Sequence, residues 1–239
     1  MSFVLVTGPT VEPLTAAEAR LRLNIGAEMQ DATLNALITT ARMKIERQYG
    51  LAMVSQTLDY IRDTFPVVEN YGLNPYERGF YPSQSYTANF GRPYTASQGD
   101  IVLPVTPVRS ITSVSYLDYT GVLQTLDPSR YVLKKSDLYS SLSQAIQTTW
   151  PVTQFVSGSV KVRLVAGYGD DATAVPETLK TVVALYVNHL RSMMENNIFL
   201  TGESVIGVAS KNYSVGRPGT DVIDQAITAM MQDYVRPSL

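Results

Sequence analysis

The hydrophobic pattern of this chain changes period twice, and this change restricts the fold more than any other feature. From residue 31 to residue 49 the apolar side chains recur every three or four positions, as on one face of a helix, and this spacing returns after residue 176. Between residues 55 and 170 the period is shorter and is close to two residues. In SVKVRLVAG, for example, apolar residues alternate with lysine and arginine. The order therefore predicts helices at both ends and an antiparallel β region between them.

Local signals indicate where four helices begin and end. Thr15 and Glu18 have the spacing of a capping box, which starts a short helix. Asp31 is predicted to cap a longer second helix, and Gly50 to end it. The third and fourth helices are expected at residues 176–197 and 221–236, and the apolar face of the fourth is expected to include Ile227 and Met230.

We therefore predict an α+β protein in which a small bundle of four main helices carries an inserted antiparallel β region and extended loops. The helical domain is expected to contain residues 1–54 and 171–239, and the β region residues 55–170. Two segments interrupt the periodic pattern, at residues 68–100 and 199–219. The first is predicted to be a loop of the β region, and the second an exposed arm of the helical domain.

Residues 71–95 contain seven aromatic side chains separated by glycines and prolines. Glycine and proline oppose a helix or a long strand, so the segment is predicted to be an extended loop. Tyrosine combines a large apolar ring with a hydroxyl group that tolerates water, which suits a surface that becomes covered on assembly. We interpret the segment as an assembly loop with the candidate contact residues Tyr71, Tyr76, Phe80, Tyr81, Tyr86, Phe90 and Tyr94.

The residues that carry most enzyme chemistry are scarce in this sequence. The chain contains no cysteine, which excludes disulfides and thiolate metal sites and fits a protein that folds in a reducing cytosol. The single histidine, His189, lies beside the apolar stripe of a predicted helix and is interpreted as a half-buried or surface residue. Asp170 and Asp171 lack the alternating spacing of a calcium-binding loop. We expect no catalytic residue, no metal and no cofactor.

The net charge of −2 indicates that the protein does not grip DNA, because nucleic-acid binding needs basic side chains that neutralise phosphates. No apolar run approaches the roughly 18 residues that a membrane span requires. The first ten residues also lack the features of a signal peptide. We expect a soluble, unprocessed chain.

Several stretches, in this order, resemble the head-tail connector proteins of long-tailed double-stranded DNA bacteriophages, also called adaptor or head-completion proteins. LTAAEARLRLN and DATLNALITTARMKIERQYG are similar to the family's threonine-capped short helix and its longer helix ending in Tyr-Gly. The resemblance continues through LPVTPVRSITSVSYLDYTGVLQTLDPSRYVL, VKVRLVAGYGDDATAVPETLK and DYVRP. It covers most of the chain, and residues 68–100 and 200–219 depart from it.

The resemblance implies a virion protein without catalysis. Such a subunit forms a ring, usually of twelve copies, that docks under the portal protein at the capsid vertex. The ring meets a stopper or tail-proximal neck protein and leaves a channel for double-stranded DNA, which it does not bind specifically. The arm and the last helix are predicted to contact the portal or a neighbouring subunit, because a partner would offset the entropy of ordering an exposed arm. The candidate residues are Lys211, Tyr213, Arg217, Tyr234 and Arg236.

Two hypotheses from other classes stay open at this point. The aromatic residues of 71–95 could stack on sugar rings in a carbohydrate- or host-surface-binding module of a phage particle. A hydrolase could use a serine or an aspartate with His189 as the base. The first hypothesis makes the tyrosines essential for glycan binding, and the second makes His189 essential for an activity.

Overall fold

The computed structural model describes residues 2–26, 28–66, 99–136, 139–154, 156–195, 202–205, 209–212 and 218–234. These ranges contain four α-helices and ten β-strands. The helices are α1 (Ala16–Leu23), α2 (Asp31–Tyr49), α3 (Glu177–Glu195) and α4 (Pro218–Met231). The strands are β1 (Ser2–Thr7), β2 (Gln56–Arg62), β3 (Ile101–Leu103), β4 (Val108–Leu117), β5 (Leu123–Thr125), β6 (Tyr131–Lys134), β7 (Ser140–Gln144), β8 (Val160–Ala166), β9 (Gly202–Val205) and β10 (Ala209–Asn212).

The strands form three antiparallel sheets. A five-stranded sheet has the order β1-β2-β8-β4-β5, a three-stranded sheet the order β3-β7-β6, and β9 pairs with β10. The central strand β8 keeps the predicted alternation, since Val160, Val162 and Leu164 are buried while Lys161 is exposed. This alternation lets one face of the sheet pack against apolar neighbours while the other face meets water.

The protein has two hydrophobic cores. The first lies between the helices and includes Leu34 and Ile38 of α2 with Leu179 of α3. The second combines residues of the five-stranded and three-stranded sheets, such as Val162 of β8 and Leu142 of β7. Each layer therefore buries its own apolar face, as an α+β protein requires.

Residues 50–55, which we call the seam, connect the two cores. Leu51 and Met53 belong to the helical core, whereas Ala52 between them belongs to the sheet core. The seam backbone is held on both sides, because Ala52 N donates to Thr106 O at 2.9 Å and Ser55 N donates to Gly169 O at 2.8 Å. These hydrogen bonds fix the helical layer against the sheets.

The predicted α+β composition is right, but the predicted helical bundle with an inserted β region is wrong. The large sheet does not begin after residue 54, since β1 pairs with β2 from Ser2↔Ile61 to Thr7↔Thr57. The sheets also have a core of their own, and the segment predicted as a non-periodic arm contains β9 and β10. The short apolar segment SFVLVT has no alternation that would mark it as a strand. It becomes a strand by pairing with β2, 50 or more residues further along the chain.

The helix ends follow the sequence only in part, because α4 begins at Pro218, before the predicted start at residue 221, and ends at Met231, before the predicted end at residue 236. The Thr15–Glu18 capping box is present, and Gly50 ends α2 with a left-handed backbone at φ 65°. Asp31 is not the cap of α2; Gln30 occupies that position without a side-chain hydrogen bond. Asp31 instead forms an ion pair with Arg20 at 2.7 Å, which ties α1 to the start of α2.

The apolar face predicted for the last helix is shifted by one residue near its end. Met230 was expected inside, but its side chain is exposed and the next residue, Met231, is fully buried in the helical core. Ile227 is buried as expected. The helix therefore packs on α3 through Ile227 and Met231, which are four residues apart and lie on the same helical face.

Candidate assembly surfaces

The structure describes few of the predicted contact residues. Tyr234 lies in a short 3-10 helix after α4 and packs, partly buried, against the helical core. Lys211 lies in β10, where its backbone pairs with Glu203 of β9. The other predicted contact residues, Tyr213, Arg217, Arg236, Tyr71, Tyr76, Phe80, Tyr81, Tyr86, Phe90 and Tyr94, lie outside the described residues. Their contacts stay predictions.

The first surface that sequence reasoning missed is the outer edge of β1. All six residues of this strand are exposed, and four in succession are apolar: Phe3, Val4, Leu5 and Val6. The sequence does carry a signal for it, namely a short run of β-forming residues that ends at Gly8 and Pro9. In a run this short, the periodicity of the apolar residues does not show whether the segment is a strand or a buried helical turn.

Aromatic stacking fixes β1 on the sheet. Phe3 lies opposite Tyr60 of β2, with ring centroids 5.3 Å apart and planes 23° apart. Tyr60 is buried in the sheet core, so the ring of Phe3 covers one residue of that core. The strand is therefore firmly placed, although its outer edge faces solvent.

A buried ionic network holds the segment that follows β1. Arg42 of α2 donates to Glu12 through Nε at 2.7 Å and to Glu46 through Nη1 at 2.7 Å. Glu46 also accepts a hydrogen bond from the backbone N–H of Met53 in the seam, at 2.8 Å. Burial raises the pKa of Glu46 in spite of the neighbouring guanidinium. The network ties together the segment after β1, helix α2 and the seam.

A second exposed apolar surface lies at the end of the β4–β5 hairpin. It consists of Tyr119, Val122 and Leu123 in the hairpin and Val152 in the loop before β8, all more than half exposed. An antiparallel bridge between Asp118 and Thr153 brings these two segments together. We call these four exposed apolar residues the hairpin tip. A clustered apolar surface of this kind is typical of a contact site between proteins.

Asp118 orders the turn that presents the hairpin tip. Its Oδ1 atom accepts hydrogen bonds from the Thr120 hydroxyl at 2.5 Å, the Thr120 N–H at 2.9 Å and the Val122 N–H at 3.0 Å. Its Oδ2 atom accepts one from Gln124 at 3.0 Å. These donors, the Thr120 hydroxyl first, lower the pKa of Asp118 to about 2.

The low pKa of Asp118 predicts a pH-dependent contribution to stability. Since the carboxylate is favoured in the folded state, its contribution is complete above its ordinary pKa near 3.8 and is lost as the pH falls toward 2. Asp118→Asn should therefore be less stable than the wild type at pH 7, and the difference should shrink between pH 4 and pH 2. Urea denaturation at several pH values measures this difference.

Asp171→Asn is the matched control for this pH experiment, because it removes an exposed loop carboxylate that is not in a turn of this kind. A stability difference between wild type and Asp118→Asn that stays constant from pH 7 to pH 2 would contradict the role assigned to the Asp118 carboxylate.

The described residues do not bring catalytic groups together. His189 is half-buried in α3, and its ring lies 5.9 Å from that of Tyr186. Asp170 forms an ion pair with Arg109 at 2.5 Å, and its pKa is lowered by the Ser55 hydroxyl and by Arg109. Across the described ranges no three His, Asp or Glu side chains are grouped to hold a metal ion.

None of the helices in the described part of the chain has the length and apolar character needed to cross a membrane.

Comparison with known proteins gives matches at the level of structure. No protein-family model and no curated protein matches the sequence. Among solved structures, the chain resembles one from the neck of an empty gene transfer agent (GTA) particle, computed with C6 symmetry, with a TM-score of 0.64 and 17% identity. A chain from the virion of a native GTA particle gives the same values, and one from a native GTA neck, computed with C12 symmetry, has a TM-score of 0.64 and 16% identity.

These similarities extend over whole chains. Each alignment covers 100% of this protein and 97% of its counterpart. At 16–17% identity, the likeness concerns the fold. The protein therefore has the fold of a chain found in the neck of phage-like gene transfer agent particles, which confirms at that level the resemblance to head-tail connector proteins.

Proposed function

We propose that the protein is a structural subunit of the neck of a phage or phage-like particle and acts as a head-tail connector. In this role, twelve copies form a ring that binds the portal protein on one side and a stopper or tail-proximal neck protein on the other. The observation that carries the proposal is the similarity to GTA neck chains over 100% of this protein and 97% of those chains.

The exposed surfaces support an assembly role. The edge of β1 and the hairpin tip place eight apolar side chains on the outside of a small protein, which is costly unless partners cover them. The two surfaces belong to opposite edges of the five-stranded sheet, β1 and β5. Two different contact surfaces on one subunit are what a head-to-tail ring requires. The C6 and C12 symmetries of the GTA necks are compatible with such a ring.

The charge of the chain fits a channel for DNA. A net charge of −2 gives no general attraction for phosphates, so DNA could pass through a ring of these subunits without adhering to it. The protein is accordingly proposed to work in the virion, at the capsid vertex, after synthesis in the host cytoplasm.

Contacts with the portal or with neighbouring subunits are assigned to two regions. The first contains Lys211, Tyr213, Arg217, Tyr234 and Arg236, at the arm and after the last helix. The second is the tyrosine-rich segment 71–95. Aromatic and arginine side chains are enriched at protein interfaces, which supports both assignments.

The two other hypotheses gain no support from the described residues. The carbohydrate-binding hypothesis depends on the tyrosines of 71–95, which lie outside them. The hydrolase hypothesis depends on His189, whose half-buried ring contacts Tyr186. We therefore propose no enzymatic activity.

Oligomer mass tests the proposed ring directly. The purified chain should form a discrete species, alone or with purified portal protein, of about twelve times its 26.3 kDa mass. Mass photometry measures the copy number, and electron microscopy of the same sample should show closed rings bound to the portal.

A chain that stays monomeric at every concentration, even with portal protein present, would contradict the proposal. If such a monomer were retained on immobilised host glycans, the carbohydrate-binding hypothesis would replace it. Heterogeneous aggregates are distinguished from rings by their continuous mass distribution.

A further inference from the structure

The outer edge of β1 lacks the usual protection of an exposed strand. Monomeric proteins protect sheet edges with charged residues, proline, strong bulges or very short strands. The β1 residues Ser2–Thr7 include no charged residue and no proline. Val4 and Leu5 remain 47% and 55% exposed, and the one register shift falls between Leu5 and Thr7 at the end of the strand. This edge is therefore open to pairing with another strand.

The opposite edge of the same sheet is protected. Strand β4 has two register shifts against β8, between Val108 and Ser110 and between Ile111 and Ser113. Arg109 adds a charge there, in an ion pair with Asp170, and β5 covers only the far end of β4 with three residues. Bulges and charges of this kind oppose strand addition. Strand pairing between subunits should therefore use the edge of β1.

The β9–β10 hairpin lacks a third strand among the described residues. Among the described strands, β9 and β10 pair only with each other, in four residue pairs from Ala209↔Val205 to Asn212↔Gly202. An isolated two-stranded hairpin is at best marginally stable in water, whereas a third strand or a larger sheet stabilises it. β9 and β10 have four residues each and β1 has six. Either hairpin strand can therefore pair with β1 over all four of its residues.

We propose that the β9–β10 hairpin of one copy pairs with the edge of β1 in the next copy, so that a sheet continues across each subunit boundary. The inference rests on the proposed ring. A hairpin-to-edge contact uses two different surfaces of each subunit, so it can repeat around a cyclic ring. Pairing of β1 with β1 of a second copy would use the same surface twice and would stop at a dimer.

Cross-linking between engineered cysteines tests this contact, because the natural chain has no cysteine. The double variants Val4→Cys with Ser204→Cys and Val4→Cys with Ser210→Cys place one thiol on β1 and one on either hairpin strand. Assembled rings are treated with a short bis-maleimide, which tolerates an offset of one or two residues in the strand register. A denaturing gel should then show a ladder of covalent oligomers up to the full ring for at least one double variant.

Two controls make the result specific. Ile146→Cys with Ser210→Cys replaces the β1 thiol by one on a turn residue that is 93% exposed, and it should give no ladder. Val4→Cys alone should stay uncross-linked; efficient dimer formation by this variant would overturn the proposal in favour of β1–β1 pairing.

The outcomes separate this contact from the proposed function. Rings that form normally but give no ladder with either double variant would overturn the hairpin contact and leave the ring intact. The absence of rings would overturn both, whatever cross-links appear. As a second measurement, Val4→Lys with Leu5→Lys should weaken ring assembly at least about tenfold, whereas Ile146→Lys should not; equal assembly of the two variants also overturns the contact.

Discussion

Replacing Arg42 with methionine is expected to lower the free energy of unfolding by about 3–5 kcal/mol, because it leaves buried charges without a partner. The Arg42 side chain is only 7% exposed and lies between the carboxylates of Glu12 and Glu46. Methionine fills most of the space but supplies no hydrogen bond. Urea denaturation of the two proteins measures the difference.

The pH dependence of this difference identifies its cause. Without the guanidinium, the pKa of Glu46 should rise further above its ordinary value, since burial already raises it. A folded-state pKa above the unfolded value stabilises the folded form at low pH and loses that contribution as the pH rises. The deficit of Arg42→Met should therefore be largest near neutral pH and should shrink in acid.

Arg47 provides the matched control for Arg42. It lies in the same helix but on the exposed side, so Arg47→Met should change the free energy of unfolding by no more than about 0.5 kcal/mol. A similar effect of both substitutions, or a deficit in Arg42→Met that does not vary with pH, would show that the network does not stabilise the fold as argued.

Replacing Gly167 with alanine is expected to cost roughly 2–5 kcal/mol, because the new methyl group meets backbone atoms that cannot move aside. Gly167 has a φ of +131°, and a Cβ atom there would lie 2.5 Å from the carbonyl carbon of Val54 and 2.6 Å from the nitrogen of Ser55. Both atoms belong to the seam. The substitution should therefore disturb the junction of both cores, which thermal and urea denaturation would detect.

Gly8→Ala is the control for Gly167→Ala. The nearest atom to a Cβ at Gly8 is a Leu5 methyl carbon at 3.9 Å, and its backbone has no positive φ. This substitution should leave stability unchanged or raise it by up to about 1 kcal/mol. A Gly167→Ala protein as stable as Gly8→Ala would mean that the seam can shift without cost.

Features encoded by neighbouring residues were predictable from the sequence. The capping box at Thr15 and Glu18 and the left-handed end of α2 at Gly50 are both present. The alternation of β8 also appears as expected. Each of these depends on residues within one or two turns of the chain, so a short stretch contains the whole pattern.

The candidate assembly surface at β1 is harder to predict, because it depends on residues that are far apart in the sequence. The aromatic residues of 71–95 are dense in the sequence, whereas β1 contains a run of only four apolar residues. Its significance depends on its place at the edge of the sheet, next to β2, which begins at Gln56. Exposure of an edge is a property of the finished sheet.

The sequence by itself therefore determined the start of α1, the end of α2, the alternation of β8, the α+β composition and the resemblance to connector proteins. Tertiary structure decided that the sheets have their own core, that β1 completes the larger sheet and that Arg42 is buried between two carboxylates. Helix caps and alternation are set by neighbours in sequence, but burial and strand order are set by neighbours in space. Those neighbours lie tens of residues away, as where Glu12 meets Arg42 and Phe3 meets Tyr60, or more than a hundred, as where Asp59 meets Arg163.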